Sequence, residues 1–446
     1  MQKKLMATTL LLASSYAAAA TDLVTAWSAA RGHDPAYQAG MAAAQAASYK
    51  PDQARALWRP TIAAQASAGY TEMRNETNGA TFSAPGFGAM TDARFVTQID
   101  RGRGREFGVV AMQPLLSPQR RAMAAQLDDQ GAIGVLQAQA AEQSLLLRVA
   151  TGYFDLLTAE DALATLLAQK EAVAKTLEIA TEFFRVGKTA STDMHEAQAA
   201  YDAVLAQEAA LRSDVELKRA AFVNLTGLAP DGLARPEDAQ SVDARLKTLR
   251  PAQLQPLLER ATANNPGVLV SEAMYRVAQR EVDKHRLAAA TTVDLVAKYG
   301  QQRIDGSYAG ADASVAGRSG WIGVQINVPL WTGGMRSAQK GEALALADKA
   351  RFDVEAARQG AMQQMRGAYF GLDAGIAQIG AYRQGLVSAA AKLDATKIGV
   401  EVGARTTADL LNAQQAYFGV KAGLLRARYQ VMIAALNLAA AGGDLD

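Results

Sequence analysis

No cysteine occurs anywhere in the 446 residues, which excludes disulfides, thiolate zinc sites, catalytic thiols and a lipid on an N-terminal cysteine. Aromatic side chains are scarce, at 6% of a chain that is 50% hydrophobic. Alanine and glycine carry much of that apolar excess, and such small residues suit closely packed helices better than a thick globular core. Neither sign of charge dominates: 46 Lys and Arg face 44 Asp and Glu, so nothing points to nucleic acid. Past the leader, no run is apolar enough for a transmembrane helix. Even Val431 to Ala440 is short and broken by Asn437.

Catalytic and metal chemistry also lack material. The three histidines, His33, His195 and His285, fall in helical contexts without an H-E-x-x-H or comparable spacing. Each reads as a surface or interface residue, and no cofactor or metal is expected. Asp128 and Asp129 are adjacent, so a helix splays them apart and they make no acid/base pair. The run Gly102 to Gly108 superficially suggests a phosphate loop. It departs from G-x-G-x-x-G and enters a strand instead of a helix, so it reads as a solvated basic loop that could touch lipopolysaccharide.

Residues 1–20 read as a secretory signal: Lys3 and Lys4, an apolar stretch from Leu5 to Ala13, and an A-x-A cleavage site at Ala18-Ala19-Ala20. The alternative is a membrane anchor, but the stretch is too short to span. A chain that crosses the inner membrane with no helical anchor is periplasmic, secreted or an outer-membrane barrel.

An internal duplication organises the rest. The segment Glu182 to Asp193 is echoed by Ile398 to Asp409, with Val186-Gly187 matching Val402-Gly403. Both continue to an Ala-Gln pair, Ala197-Gln198 and Ala413-Gln414. Upstream, Pro114-Leu115 matches Pro329-Leu330 and Asp34-Pro35 matches Asn265-Pro266, in the same order. The expected division is a first repeat over 21–227, a linker over 228–256 with little structure of its own, and a second repeat over 257–446.

Each repeat predicts the same layout. A helix starts at Pro35 or Pro266 and runs to about Trp58 or Ala289. Two strands joined by a polar, glycine-rich loop follow, the second ending at Pro114 or Pro329. A very long helix comes next, Ser117 to Phe184 and Gly334 to Gly399, about 100 Å at ~1.5 Å per residue, which only a coiled-coil array can hold. The Val-Gly turn folds it back on a last helix, Thr192 to Leu225 or Thr407 to Ala440. Glycines inside the second rod (Gly360, Gly367, Gly371, Gly375, Gly380, Gly385) make sense as close helix approaches, or else as drift in a long helix.

The strands alternate apolar and polar, clearly in Thr292 to Tyr299 and Trp321 to Leu330, weakly in Thr61 to Thr71 and least in Arg105 to Leu115. Segments of about ten residues with one apolar face match a membrane β-barrel with a wet lumen, or equally a half-buried soluble sheet. Four strands cannot close a barrel, and an open edge in lipid leaves backbone groups unpaired. Such a chain must share its barrel, with 8 strands from a dimer or 12 from a trimer; only the trimer leaves a generous channel. Trp58 and Trp331, where helix meets strand, form an aromatic belt or pack the junction.

With duplication, Val-Gly turns and Pro-Leu strand ends together, the chain resembles the TolC family of outer-membrane efflux and secretion proteins. The most specific stretch runs from Ala381-Tyr382-Arg383-Gln384 through Val402-Gly403-Ala404-Arg405-Thr406-Thr407-Ala408-Asp409 to Leu436-Asn437. The absent lipid cysteine matches the non-lipidated, type I secretion-like branch. The resemblance implies a mostly α fold with a β-barrel part. Long helical hairpins form a trimeric α-barrel tunnel in the periplasm, topped by a shared 12-stranded outer-membrane β-barrel with four strands per protomer. It implies a passive exit duct for type I protein secretion, multidrug efflux or both, and no enzyme. The implied partners are two further copies of the chain, outer-membrane lipid, a periplasmic adaptor at the hairpin tips Val186, Gly187, Val402 and Gly403, and through it an inner-membrane ABC or proton-driven transporter.

The resemblance also implies a gate. The family's tip arginine falls on Arg405, and its partners on the neighbouring hairpin fall on Thr192 and Asp193. The constricting acidic ring falls on Asp409, while a second acid one turn on is replaced by Asn412. The gate tyrosine falls on Val400, so its hydrogen bond to the position of Glu182 cannot form. The bland alternative for Arg405 and Asp193 is an exposed ion pair worth under ~1 kcal/mol. The rival to the whole reading is a periplasmic coiled-coil adaptor, which should lack paired amphipathic strands in both halves.

Overall fold

The computed structural model describes residues 21–86, 88–230, 232–235, 253–308 and 311–443. The signal segment and most of the linker lie outside the described residues. The chain forms two compact units. One draws on the chain up to Gln45, Gly134–Glu272 and everything from Asp353 on; the other on Ala46–Ile133 and Ala273–Phe352.

The second unit carries a four-stranded antiparallel sheet in the order β1-β2-β3-β4. Its strands are β1 (Thr61–Ala84), β2 (Gly88–Leu116), β3 (Thr292–Tyr308) and β4 (Ala311–Asn327). Side chains alternate across a strand, so register decides which residues share a face. The pairing aligns Ile62, Ala111, Ala297 and Ile322 in one row, and Ala64, Val109, Tyr299 and Gly320 in the next. Val324 and Ile326 extend the same face, and Ile62, Tyr299, Ile322, Val324 and Ile326 are all exposed. The opposite face carries Gln65, Ser67, Glu106, Lys298, Gln302 and Gln325. One side is therefore apolar and bare, the other polar, and the outer edges of β1 and β4 have no partner strand among the described residues.

The strands depart from the expected ten residues: they run to 24, 29, 17 and 17. β2, the weakest from its pattern, is the longest, because β1 and β3 pair with it from both sides. It also passes its proline and ends at Leu116. β1 begins at Thr61 opposite Met112, so Pro114 sits where β2 has lost that neighbour and a missing N–H is harmless. β4 stops earlier than expected, at Asn327, leaving Val328 and Leu330 outside the ladder and exposed. At the junction the Trp58 carbonyl accepts from Gln113 Nε2 at 2.8 Å, whereas the Trp331 side chain is 86% exposed.

The helices are α1 (Leu23–His33), α2 (Pro35–Ser48), α3 (Lys50–Ala56), α4 (Pro118–Arg185), α5 (Ser191–Thr226), α6 (Gln255–Asn264), α7 (Pro266–Leu287), α8 (Met335–Glu401) and α9 (Thr407–Gly442). The two rods agree with expectation within two residues at each end. Three corrections apply elsewhere. The helix expected from Pro35 to Trp58 breaks at Tyr49 into α2 and α3, because Pro51 has no N–H and its ring clashes with the carbonyl four residues back. α1 and α6 precede the Asx-Pro pairs and were not expected. The described part of the linker is docked: Thr21 and Leu233 form a parallel bridge, and Leu233 is buried. The Tyr153 hydroxyl donates to the carbonyls of Thr21 (3.0 Å) and Ala234 (2.5 Å). Burial pushes that phenol up to about 12.

Asp34 and Asn265 each close one helix and cap the next. Asp34 Oδ2 accepts from Tyr37 N (2.8 Å) and Asn265 Oδ1 from Gly267 N (3.0 Å). Asp34 is buried and also takes two bonds from the Arg148 guanidinium, at 3.1 and 2.5 Å. Arg148 first of all holds its carboxyl below the usual range. Around it lies the main core of Leu145, Val149, Leu156, Leu157 and Phe222, with Phe154 stacked on Tyr429.

Of the six glycines singled out inside the second rod, only Gly375 is a close approach, with a Val431 methyl where its Cβ would sit. Gly385 meets Val420 at an ordinary 3.5 Å, and Gly360, Gly367, Gly371 and Gly380 have nothing within 4 Å. Gly375→Ala should therefore lower stability by about 1–3 kcal/mol, because Val431 is buried and stiff at χ1. Gly371→Ala should raise it by up to about 1 kcal/mol through helix propensity. Thermal unfolding of both variants checks the contrast, which fails if the two move together.

Candidate functional site

The two hairpin turns are built alike. α4 ends as Gly187 N donates to Phe184 O (3.0 Å) and Lys188 N to Phe183 O (2.8 Å); α8 ends as Gly403 N donates to Val400 O (3.1 Å) and Ala404 N to Gly399 O (2.7 Å). Both glycines take φ +74°, the left-handed conformation that closes a helix in this pattern. Val186 and Val402 are exposed beside them.

Around this frame the expected gate residues take individual positions. Glu182 is held within its own helix by Arg185, at 2.9 and 2.6 Å, and this pairing keeps its carboxyl below the usual range. Val400 packs with Leu393, Leu410, Ala413 and Tyr417 between α8 and α9. Arg405 is exposed; its backbone N–H donates to Gly399 O (3.0 Å), and its guanidinium makes no ion pair among the described residues. Thr192 is exposed and Asp193 half-exposed in the first turn of α5. No bond joins Arg405 to either within the protomer.

Asp409 sits in the first turn of α9, beside the tip. Its Oδ2 accepts from Thr406 N (3.1 Å) while Thr406 Oγ1 accepts from Asp409 N (3.1 Å), a reciprocal capping box. Hydrogen bonding from Thr406, the backbone N–H first, holds the Asp409 carboxyl below its ordinary value. Asn412 is exposed one turn on and lines a groove of about 320 Å³ with Glu196 and Gln207 of α5.

Two anchoring groups were missed in the sequence. Gln414 is buried and donates through Nε2 to Thr176 Oγ1 (3.1 Å), tying α9 to α4. Its repeat mate Gln198 is exposed and bonds Asp202 instead, so the shared Ala-Gln pair hid two different uses. Glu208, almost fully buried on α5, joins Lys170 of α4 (2.7 Å) and Arg212 (2.6 Å). Those two cations, Lys170 first, keep it ionised by lowering its pKa.

The two halves, each with two paired strands followed by a hairpin with the same turn, also match one family model twice. Residues 26–228 and 257–444 match the model described as outer membrane efflux protein. The chain belongs to the outer membrane efflux protein family. It is 32% identical over 317 residues to outer membrane protein TolC of Escherichia coli, a stretch covering 69% of this chain and 63% of that protein. The chain thus spans somewhat under two thirds of that relative's length. It is 28% identical over 308 residues to the alkaline protease secretion protein AprF of Pseudomonas aeruginosa, covering 68% of this chain and 62% of that one. Among solved structures, the outer membrane protein VceC of Vibrio cholerae matches with a TM-score of 0.73 at 18% identity, over 94% of this chain and 96% of that chain. The fold of this family member is that of the outer-membrane channels, and its location is the outer membrane. The family expected from the turns and the duplication is the one matched.

Proposed function

We propose that the chain is a passive exit duct: a homotrimeric channel-tunnel serving type I protein secretion, multidrug efflux or both. The observation that carries this is the sheet, with one bare apolar face, one polar face and two unpartnered edges. In a bilayer such edges cost several kcal/mol per unpaired group, so four strands per chain close only with those of other copies. Three copies give twelve strands around a wet lumen. A periplasmic adaptor has no use for such a face. In this reading Val186, Gly187, Val402 and Gly403 form the tips that meet an adaptor, which links them to an inner-membrane ABC or proton-driven transporter.

The mature protein should purify as a trimer only in detergent or an equivalent membrane mimic, and should conduct in a planar bilayer. A water-soluble monomer with no conductance would overturn the reading. Deleting the gene and comparing protein secretion with drug sensitivity separates the two cargo classes.

The gate belongs to the same proposal. Among the described residues the Arg405 guanidinium makes no ion pair in its own protomer, which suits a bond to Asp193 and Thr192 of the next hairpin. Removing either charge strands the other in a narrow site and disfavours the closed state. Arg405→Ser and Asp193→Ala are each expected to raise single-channel conductance severalfold. Unchanged conductance in both, in properly trimeric protein, would reduce the pair to a surface ornament.

A further inference from the structure

We propose that the apolar face of the sheet ends in a binding site for the phosphates of an outer-leaflet lipid, formed by Arg105, Arg303 and Arg318 with Arg103 beside them. Arg105 lies directly opposite Arg303 across β2 and β3, and Arg103 lies opposite Asp305. Arg318 pairs with Gln301, diagonal to Arg303. All four share the face of Phe107, Tyr299 and Ile322, and all four are exposed.

Like charges set directly opposite on a sheet destabilise it. Of the four only Arg303 bonds an acid, Asp305, reached by Nε at 3.0 and 3.1 Å, and that one carboxylate is also within electrostatic reach of Arg105. That carboxylate also accepts from Ser314 Oγ at 2.8 Å. The side chains of Arg103, Arg105 and Arg318 make no hydrogen bond or ion pair among the described residues. The cluster therefore keeps a clear positive excess, and guanidinium forks match phosphate oxygens in pairs.

Height selects a lipid as the source of the phosphate. Arg303 lies ten residues along β3 from Val293, where the apolar face begins. At about 3.3 Å per residue and a tilt of about 40°, that is roughly 25 Å, the height of the apolar band of a membrane barrel. The strand ends near Val293 lead to helices, so the arginines lie towards the hairpin ends of the sheet. Given the channel reading on which this inference rests, they stand at the outer headgroup level and face lipid, not the lumen. The ligand chemistry is that of a phosphorylated glucosamine lipid, such as lipid A.

The test is native mass spectrometry of the trimer with bound lipid. Diphosphorylated lipid A should remain bound to the wild type, and its dephosphorylated form should be retained about tenfold less or weaker still. Arg105→Gln/Arg318→Gln, which breaks no bond seen in the protomer, should lose retention to the same degree while conducting normally. Lys298→Gln on the polar face should change nothing, and millimolar inorganic phosphate should not displace the lipid. Equal retention of both lipid forms by the wild type overturns the site without any mutant. So does unchanged retention by the conducting double variant, or displacement by phosphate. A wild type that fails to insert into bilayers sinks the channel reading instead, which separates the two failures.

Discussion

Ile322→Arg is expected to abolish accumulation of the trimer in the outer membrane, while Gln325→Arg, three residues on, is expected to be tolerated. Ile322 lies in the middle of the apolar face, in the row shared with Ala297, Ala111 and Ile62, and is 73% exposed in the protomer. An arginine on the lipid face of a membrane barrel costs about 2–4 kcal/mol at the midplane. A trimer carries the change three times, so the penalty rivals the whole stability of an ordinary domain. Gln325 points to the other face, where water solvates the added charge. Outer-membrane fractionation and heat-resistant trimer on gels read the outcome. Equal loss from both substitutions would mean that the two faces are not in different solvents.

Block of the channel by multivalent cations from the periplasmic side is expected to disappear in Asp409→Asn. Rings of acidic side chains favour cations in a pore, and three Asp409 carboxylates at a constriction would supply one. Asparagine keeps an oxygen able to cap the helix but removes the charge, so it separates the ring from the capping box that Asp409 forms with Thr406. Asp409→Ala loses both and should also fray the first turn of α9. Asn412→Asp should strengthen the block, and added salt should weaken it throughout. The pH dependence has a definite sign. A carboxylate whose pKa is lowered stays charged at neutral pH and loses its charge only as pH falls through that lowered value. Block should therefore be present at neutral pH and be lost as the pH falls and the carboxylates take up protons. Full block in Asp409→Asn would place the ring elsewhere.

Local features were legible without the tertiary structure. Val-Gly at 186–187 and 402–403 announced the turns, because only a residue at ease with positive φ ends a helix in that way. Ser117 ahead of Pro118 marked the start of α4, and the Val-Gly turns marked where both rods stop, to within two residues of their ends. The Asx-Pro pairs likewise marked helix starts, though not the helices in front of them. The capping box at Thr406 and Asp409 was equally local, yet its T-x-x-D spacing was passed over for a role in the pore.

What depends on residues far apart in the chain was not legible. The length of β2 was hidden because a glycine- and arginine-rich stretch has no strong alternation, and two neighbours extend it by pairing. The destination of Gln414 was hidden because Thr176 lies 238 residues away. The facing of Arg105 and Arg303 was hidden for the same reason. A run of arginines by itself reads as a loop, and only the register of two distant strands turns it outward above an apolar band. The sequence by itself determined the rods and their turns, through the conformational preferences of neighbouring residues, and the duplication and family, through residues repeated in the same order. The tertiary structure alone decided which face each strand shows and which charges find partners, because backbone pairing across long separations sets both.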